Sequence, residues 1–289
     1  MSTKLKIAAA VVAAVLLSAC SSPKHEPMPL VKFTPSMEVT EVWSKGLSSA
    51  EGFLVPAVYD DMVFAAGGKT LTRLNARTGE TEWSVSFNSP ITGGVGSDGY
   101  VTAVGLWDGN LEVVDAEGKV SWEKKLTTEL ASPPVVSHGL VIARTMDTRV
   151  SAFEASSGEL QWTYQRSQPA LTVRLPTRML AHDNFLLVGQ PNGHIVILDI
   201  ASGKPMFEFQ VAQAKGVTEV ERLVDVVGAP AFSDNLVCAA AFQGAVTCVD
   251  STNGQTRWTQ KIDAVAGPAI DEDNVYAVSV NGEVQAFYR

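Results

Sequence analysis

Residues 74–83 read LNARTGETEW, and recurrences of this stretch constrain the fold more than any other feature of the chain. It reads as the end of one strand, a tight turn, and an outer strand carrying a Trp. Thr78 and Gly79 are turn residues, because glycine adopts positive φ without steric cost. Four further copies end at Trp122, Trp162, Phe207 and Trp258, and a half-copy, EVW, ends at Trp43. Spacings of 40, 39, 40, 45 and 51 separate these aromatic plugs. A period near 40 is that of a repeat architecture.

Each repeat carries four short strand signals. In the first they fall at 54–59, 62–66, 70–75 and 81–87. Asp60 and Asp61, Gly67 and Gly68, and Thr78 and Gly79 separate them, all with turn chemistry. The third repeat places strands at 132–136, 140–145, 150–154 and 159–164, and the fifth at 229–233, 236–242, 245–250 and 255–262. No stretch sustains a 3.6-residue apolar period, so helices should be few. The pattern predicts an all-β fold, a β-propeller of four-stranded blades. Five units have all four strands. The sixth, from Gly267 to Arg289, lacks an outer strand, and the segment around Trp43 is an outer strand without inner ones. Joined, they make a sixth blade and close the ring, removing exposed sheet edges; the alternative is a ring left open.

The first residues, MSTKLKIAAAVVAAVLLSAC, combine Lys4 and Lys6 with an apolar run from 7 to 17 and small residues before Cys20. This is signal-peptide grammar, too short for a mature membrane span. Leu17 to Cys20 resembles the lipobox of bacterial lipoproteins, which implies cleavage before Cys20 and its acylation; several acyl chains anchor stably. By the same resemblance Ser21, not being Asp, goes with delivery to the outer membrane. Residues 21–37 hold Pro23, Pro27, Pro29 and Pro35 without an apolar face, and extended they would reach roughly 50 Å. The division is therefore a signal segment at 1–19, a lipidated Cys and tether at 20–38, and the repeat body at 39–289.

Charge excludes one class of partner. At −9 net, with no Lys/Arg stripe, the chain is a poor nucleic-acid binder. Catalytic patterns are missing too. His25, His138, His182 and His194 have neither i, i+4 spacing nor neighbouring Cys, so no metal site is expected. Gly93 and Gly94 precede no Lys and no helix, and no Gly-x-Ser-x-Gly elbow occurs. Asp60 with Asp61 and residues 271–273 read as solvated turn acids. Cys238 and Cys248 fall on successive strands of one blade. Whether they pair depends on the turn between Phe242 and Ala245, since a one-residue slip turns them apart; two buried thiols are the expectation.

Two of the spacings exceed the period. The extra length lies near 167–176 (SQPALTVRLP) and at 212–227 (AQAKGVTEVERLVDVV). Both inserts follow an outer strand and precede the next inner one on adjacent blades, so they should be neighbours in space. Long loops on a rigid ring are where function sits. Leu171, Val173 and Leu175 alternate with Thr172 and Arg174. They read either as core-facing residues of a long connection or as an apolar patch with an Arg for a protein partner. Glu219, Glu221, Arg222 and Asp225 form a charged loop beside it, or a plainly solvated one.

The Thr/Ser-x-Gly and Trp repeats resemble the pyrroloquinoline-quinone-type propeller repeat. Together with a lipobox, residues 170–174 and residues 218–225, the chain resembles the BamB family of lipoproteins of the outer-membrane β-barrel assembly machinery. The resemblance covers the whole mature chain. It implies a non-enzymatic scaffold, lipid-anchored in the outer membrane and facing the periplasm. Its two loops would dock on the POTRA domains of BamA, and it would help hand on unfolded barrel precursors. Sheet edges that hold precursor strands by β-augmentation are a further reading. Carried over by position, Leu171, Val173 and Arg174 match the first loop's Leu-x-Leu-Arg pattern, with Val for the second Leu. Asp225 matches the first acid of the second loop, where Glu219 and Arg222 also belong to the contact, and Val227 replaces a usual second Asp. The family ring has eight blades against six counted here, so either two blades were lost or the chain is a truncated member. An adaptor for another envelope complex is the non-enzymatic rival. Quinoprotein dehydrogenases, which share the repeat, are the enzymatic one, but they carry calcium ligands and often a vicinal Cys pair. Neither feature is present, so no quinone or other cofactor is implied.

Overall fold

Short runs of alternating or wholly apolar residues between turn-forming Gly, Asp and Asn produce β-strands and nothing else. The computed structural model describes residues 32, 34, 35, 37–49, 54–167, 169, 171–173 and 175–289. Val39–Arg289 is one compact unit. Among the described residues there are no helices, and strands are grouped into six antiparallel sheets. The first holds β1 (Ala57–Tyr59), β2 (Met62–Gly67), β3 (Thr70–Asn75) and β4 (Thr81–Ser86). The second holds β5 (Ile91–Ser97), β6 (Thr102–Leu106), β7 (Asn110–Val114) and β8 (Val120–Lys125). The third is β9 (Val135–Ser137), β10 (Leu140–Arg144), β11 (Val150–Glu154) and β12 (Leu160–Tyr164). The fourth is β13 (Leu180–His182), β14 (Phe185–Gln190), β15 (His194–Asp199) and β16 (Pro205–Gln210). The fifth is β17 (Val226–Ser233), β18 (Leu236–Ala241), β19 (Gly244–Asp250) and β20 (Thr256–Ile262). The sixth has three strands, β21 (Ala269–Ile270), β22 (Asn274–Val278) and β23 (Val284–Tyr288).

The core lies between sheets. The two middle strands of the four-stranded sheets are mostly buried, while outer strands such as β4 and β8 alternate exposed and half-buried residues. Five apolar clusters each bridge two successive sheets; Leu111 and Val113 of the second, for instance, pack with Val141 and Phe153 of the third. Stacked sheets with one shared apolar layer per junction are the physics of a repeat fold.

The recurrent Trp does more than fill its own outer strand. Trp83 donates its indole N–H to the carbonyl of Ala116 in the next sheet's turn at 2.9 Å. Trp122 does the same to Ala155 at 2.8 Å and Trp162 to Ile200 at 2.8 Å. The glycine of each turn lies under the ring: a Cβ on Gly118 would stand 2.7 Å from Trp83, and one on Gly158 2.7 Å from Trp122. Both glycines also have positive φ, 80° and 70°. The Thr/Ser-x-Gly and Trp signals of the repeat are therefore two halves of one contact between neighbouring sheets.

Two expectations change. Residues 38–49 form no strand, and the sixth sheet has no fourth strand among the described residues, so the Trp43 segment does not pair with β23. Trp43 instead makes the ladder contact, donating to the Ala76 carbonyl at 2.9 Å and covering Gly79. Side-chain packing satisfies it without ladder hydrogen bonds. The second change is that Cys238 and Cys248 are joined in a disulfide. The β18–β19 register sets them directly opposite, both fully buried, with Cα atoms 4.1 Å apart. The slip that would have turned them apart does not occur.

Candidate functional site

The two overlong connectors, between β12 and β13 and between β16 and β17, meet. Gly228 N–H donates to Pro176 at 2.8 Å, and Arg178 N–H donates to Gly228 at 3.0 Å, a short parallel bridge between the first connector and β17. The bridge falls at a local distortion of β17, whose register shifts between Val227 and Ala231. Gly228 sits in that bulge at φ 65°, and a Cβ there would stand 1.9 Å from the Gly267 nitrogen. No other residue fits.

Asp225 ties the second connector down. Its carboxylate accepts from Val173 N–H at 2.5 Å and from Asn192 N–H at 3.4 Å, and its own carbonyl accepts from Phe242 N–H at 2.9 Å. One residue thus joins the first connector, the β14–β15 turn and the β18–β19 turn. It is 7% exposed, and burial pushes its carboxyl above the usual range, against the two N–H donors and Arg144. Asp225 is consequently placed beneath the surface, where it holds Val173 in position. Val227, which by the resemblance stands where a second Asp is usual, is in the core with Cys238 and Val246.

Residues 216–222 fold into a single capped turn. Thr218 Oγ1 accepts from Glu221 N–H at 3.3 Å, while Glu221 accepts from the Val217 and Thr218 N–H groups at 2.9 and 3.0 Å. This reciprocal Thr-x-x-Glu arrangement satisfies three backbone donors. Those donors, Thr218 first, hold the Glu221 carboxyl below its ordinary range. The motif is legible in TEVE, and the sequence reading passed over it. Arg222 closes the turn by donating to the Gly216 carbonyl at 3.2 Å, with Glu219 3.7 Å away. Glu219 and Arg222 are therefore an exposed pair whose side chains shape the loop itself. The turn presents Val217 and Val220, which are 92% and 59% exposed.

On the first connector Leu171 is 44% exposed and Val173 half-buried. Leu175 packs against the core between the fifth and sixth sheets. The stretch is divided: Leu171 faces out and Leu175 faces in. Arg174 and Ala170 lie outside the described residues, as does Cys20 with the preceding segment. The geometry offers apolar and ionic contact to a protein, and no nucleophile with a base at hydrogen-bond reach is formed by these side chains.

Comparison with known proteins agrees with the architecture. The family model for outer membrane protein assembly factor BamB matches residues 67–289. The protein of that name from Burkholderia pseudomallei is 37% identical over 266 residues, spanning 90% of this chain and 70% of its own. That from Bordetella pertussis is 34% identical over 94% of this chain and 72% of its own. The crystal structure of BamB from Moraxella catarrhalis superposes with a TM-score of 0.75 at 28% identity, covering 82% of this chain and 72% of that one.

Proposed function

The chain belongs to the BamB family of outer membrane protein assembly factors, and on that premise we propose that it is a non-catalytic scaffold of the β-barrel assembly complex that docks the POTRA domains of BamA through its two long connectors. The observation that carries the reading is the bond from Val173 to Asp225. It holds the two connectors as one unit, while Leu171, Val217 and Val220 stay exposed on them. Exposed apolar side chains on anchored loops, rimmed by Glu219 and Arg222, have the composition of a protein-docking patch. Arg174 supplies the cationic contact in this reading, and Asp225 acts by positioning.

Anchoring is through acylated Cys20 in the outer membrane, with the body in the periplasm and the 20–38 tether setting its reach. The six sheets act as blades of a propeller, with Trp43 packed on the first of them in the place that the outer-strand Trp of a preceding blade would take. In support, Trp43 contacts Ala76 and Gly79 as the outer-strand Trp residues contact the sheet that follows them. Precursor handling follows from complex membership rather than from a site on the ring.

Co-purification from detergent-solubilised membranes tests the docking. Wild-type protein should bring down BamA; Leu171→Glu and Arg174→Glu should not. Undiminished capture by both variants would remove the first connector from the contact.

A further inference from the structure

Behind the two connectors lies a cavity of about 250 Å³, between the β10–β11 turn, the β14–β15 turn and residues 172, 173 and 175–177. Four polar side chains that line it are each less than one-tenth exposed: Ser132, Arg144, Thr148 and Gln190. Each has an atom without a hydrogen-bond partner, namely Ser132 Oγ, Arg144 Nε, Thr148 Oγ1 and Gln190 Nε2. Buried polar groups need hydrogen-bond partners, and four of them converge on this one cavity. Two of the four atoms can only donate, and the two hydroxyls are able to. Arg144 has one long contact besides, from Nη1 to Thr177 Oγ1 at 3.4 Å. Burial draws its pKa down to about 10, so the guanidinium stays charged at neutral pH. Thr148 is a β-branched residue at φ 61°, a backbone conformation such residues rarely adopt.

The complement of converging donors is an oxyanion. Charge narrows the class. Arg144 supplies one positive charge and Asp225, also lining the cavity, opposes it. Asp225 accepts from Val173 and Asn192, and a carboxylate has no proton to donate, so toward an anion it offers repulsion and no bond. A dianion such as phosphate is disfavoured, whereas a planar monoanion matches a guanidinium edge flanked by an amide donor. We propose that this cavity is a carboxylate-binding site, in which Arg144 and Gln190 bind the carboxylate and the Ser132 and Thr148 hydroxyls complete its shell.

The site goes beyond the docking reading and does not depend on it. Its occupant is either a free small carboxylate or an acidic side chain or chain end of a protein. Titration of the isolated full chain, followed by the Arg144 Nε–H resonance, tests it. Acetate and N-acetylalanine should shift that resonance saturably, and N-acetylalaninamide should leave it unmoved. Gln190→Leu, which replaces an unpaired amide by an apolar group of similar size, should fold and bind acetate at least tenfold more weakly. A capped Gly-Glu-Gly peptide that binds more tightly than acetate identifies a protein carboxylate as occupant, and the reverse order a free acid. No saturable shift up to tens of millimolar acetate, an equal response to the amide, or unaltered affinity in Gln190→Leu overturns the assignment. None of these results bears on BamA capture, so the two readings fail separately.

Discussion

Val173 gives its backbone N–H to Oδ2 of Asp225, 52 positions further along the chain, at 2.5 Å. A charged acceptor on a backbone N–H is among the stronger protein hydrogen bonds. It makes two connectors from different sheets behave as one surface. Asp225→Asn would turn an amide donor or a neutral oxygen toward Val173 and Asn192, which need two acceptors. The variant should lose about 1–3 kcal/mol of stability, read from urea unfolding. It should also capture much less BamA, although residue 225 itself is buried. Full capture at reduced stability would show that the first connector holds its place without this bond.

The ladder from Trp to turn glycine yields a second expectation. Trp122→Phe keeps the ring over Gly158 but leaves the Ala155 carbonyl without its indole donor, at a cost of about 1 kcal/mol. Gly158→Ala should cost more, about 1–3 kcal/mol, because its Cβ meets Trp122 at 2.7 Å and φ is 70°. The two changes touch one contact, so the double variant should fall short of the sum. Phe207 over Gly254 is the molecule's own precedent for a ring without the donor.

The Cys238–Cys248 bond closes a loop with a sequence separation of 10 residues. In the chain-entropy account a loop of that length is worth about 2–3 kcal/mol. Replacing both cysteines by Ala should lower the unfolding midpoint accordingly, and reductant should move the wild-type midpoint while leaving the double variant unchanged. A midpoint indifferent to reductant would show that the β18–β19 register holds without the bond.

Much of this was legible because the repeat encodes both partners of each contact. The period of 39–40 marks the sheets, and Gly79, Gly118 and Gly158 mark the turns over which Trp43, Trp83 and Trp122 lie. The two long spacings located the connectors, and their placement on adjacent sheets implied that they would meet. Other features were hidden for physical reasons. Hydrogen-bond pairing of the Trp43 segment could not be read, since packing of one side chain holds it without a ladder. The cysteine pairing turned on a single residue of register. Asp225 looked like a surface acid in a charged loop, because nothing in its own neighbourhood of sequence announces the N–H groups of Val173 and Asn192 that bury it. Arg144 and Gln190 end strands of different sheets, and only the folded chain shows that they line one cavity.

Glu112 on β7 stands opposite Glu123 on β8 in the antiparallel register, and it is buried. Like charges facing each other across a sheet are unfavourable. Burial first, then the Glu123 carboxylate, its hydrogen bond and Asp108, raise the Glu112 pKa to about 7. The folded protein therefore prefers Glu112 protonated. The stabilisation from that proton is complete below the unfolded-state value of about 4.5 and is lost as pH rises to about 7. Glu112→Gln keeps a neutral hydrogen-bonding group at every pH. It should exceed the wild type in stability by about 1–2 kcal/mol at pH 8, after allowance for solvent screening of the exposed Glu123 that faces it. At pH 4.5 the gain should disappear. Urea midpoints at the two pH values measure the difference. A gain of equal size at both would assign the effect to packing of the amide rather than to the proton.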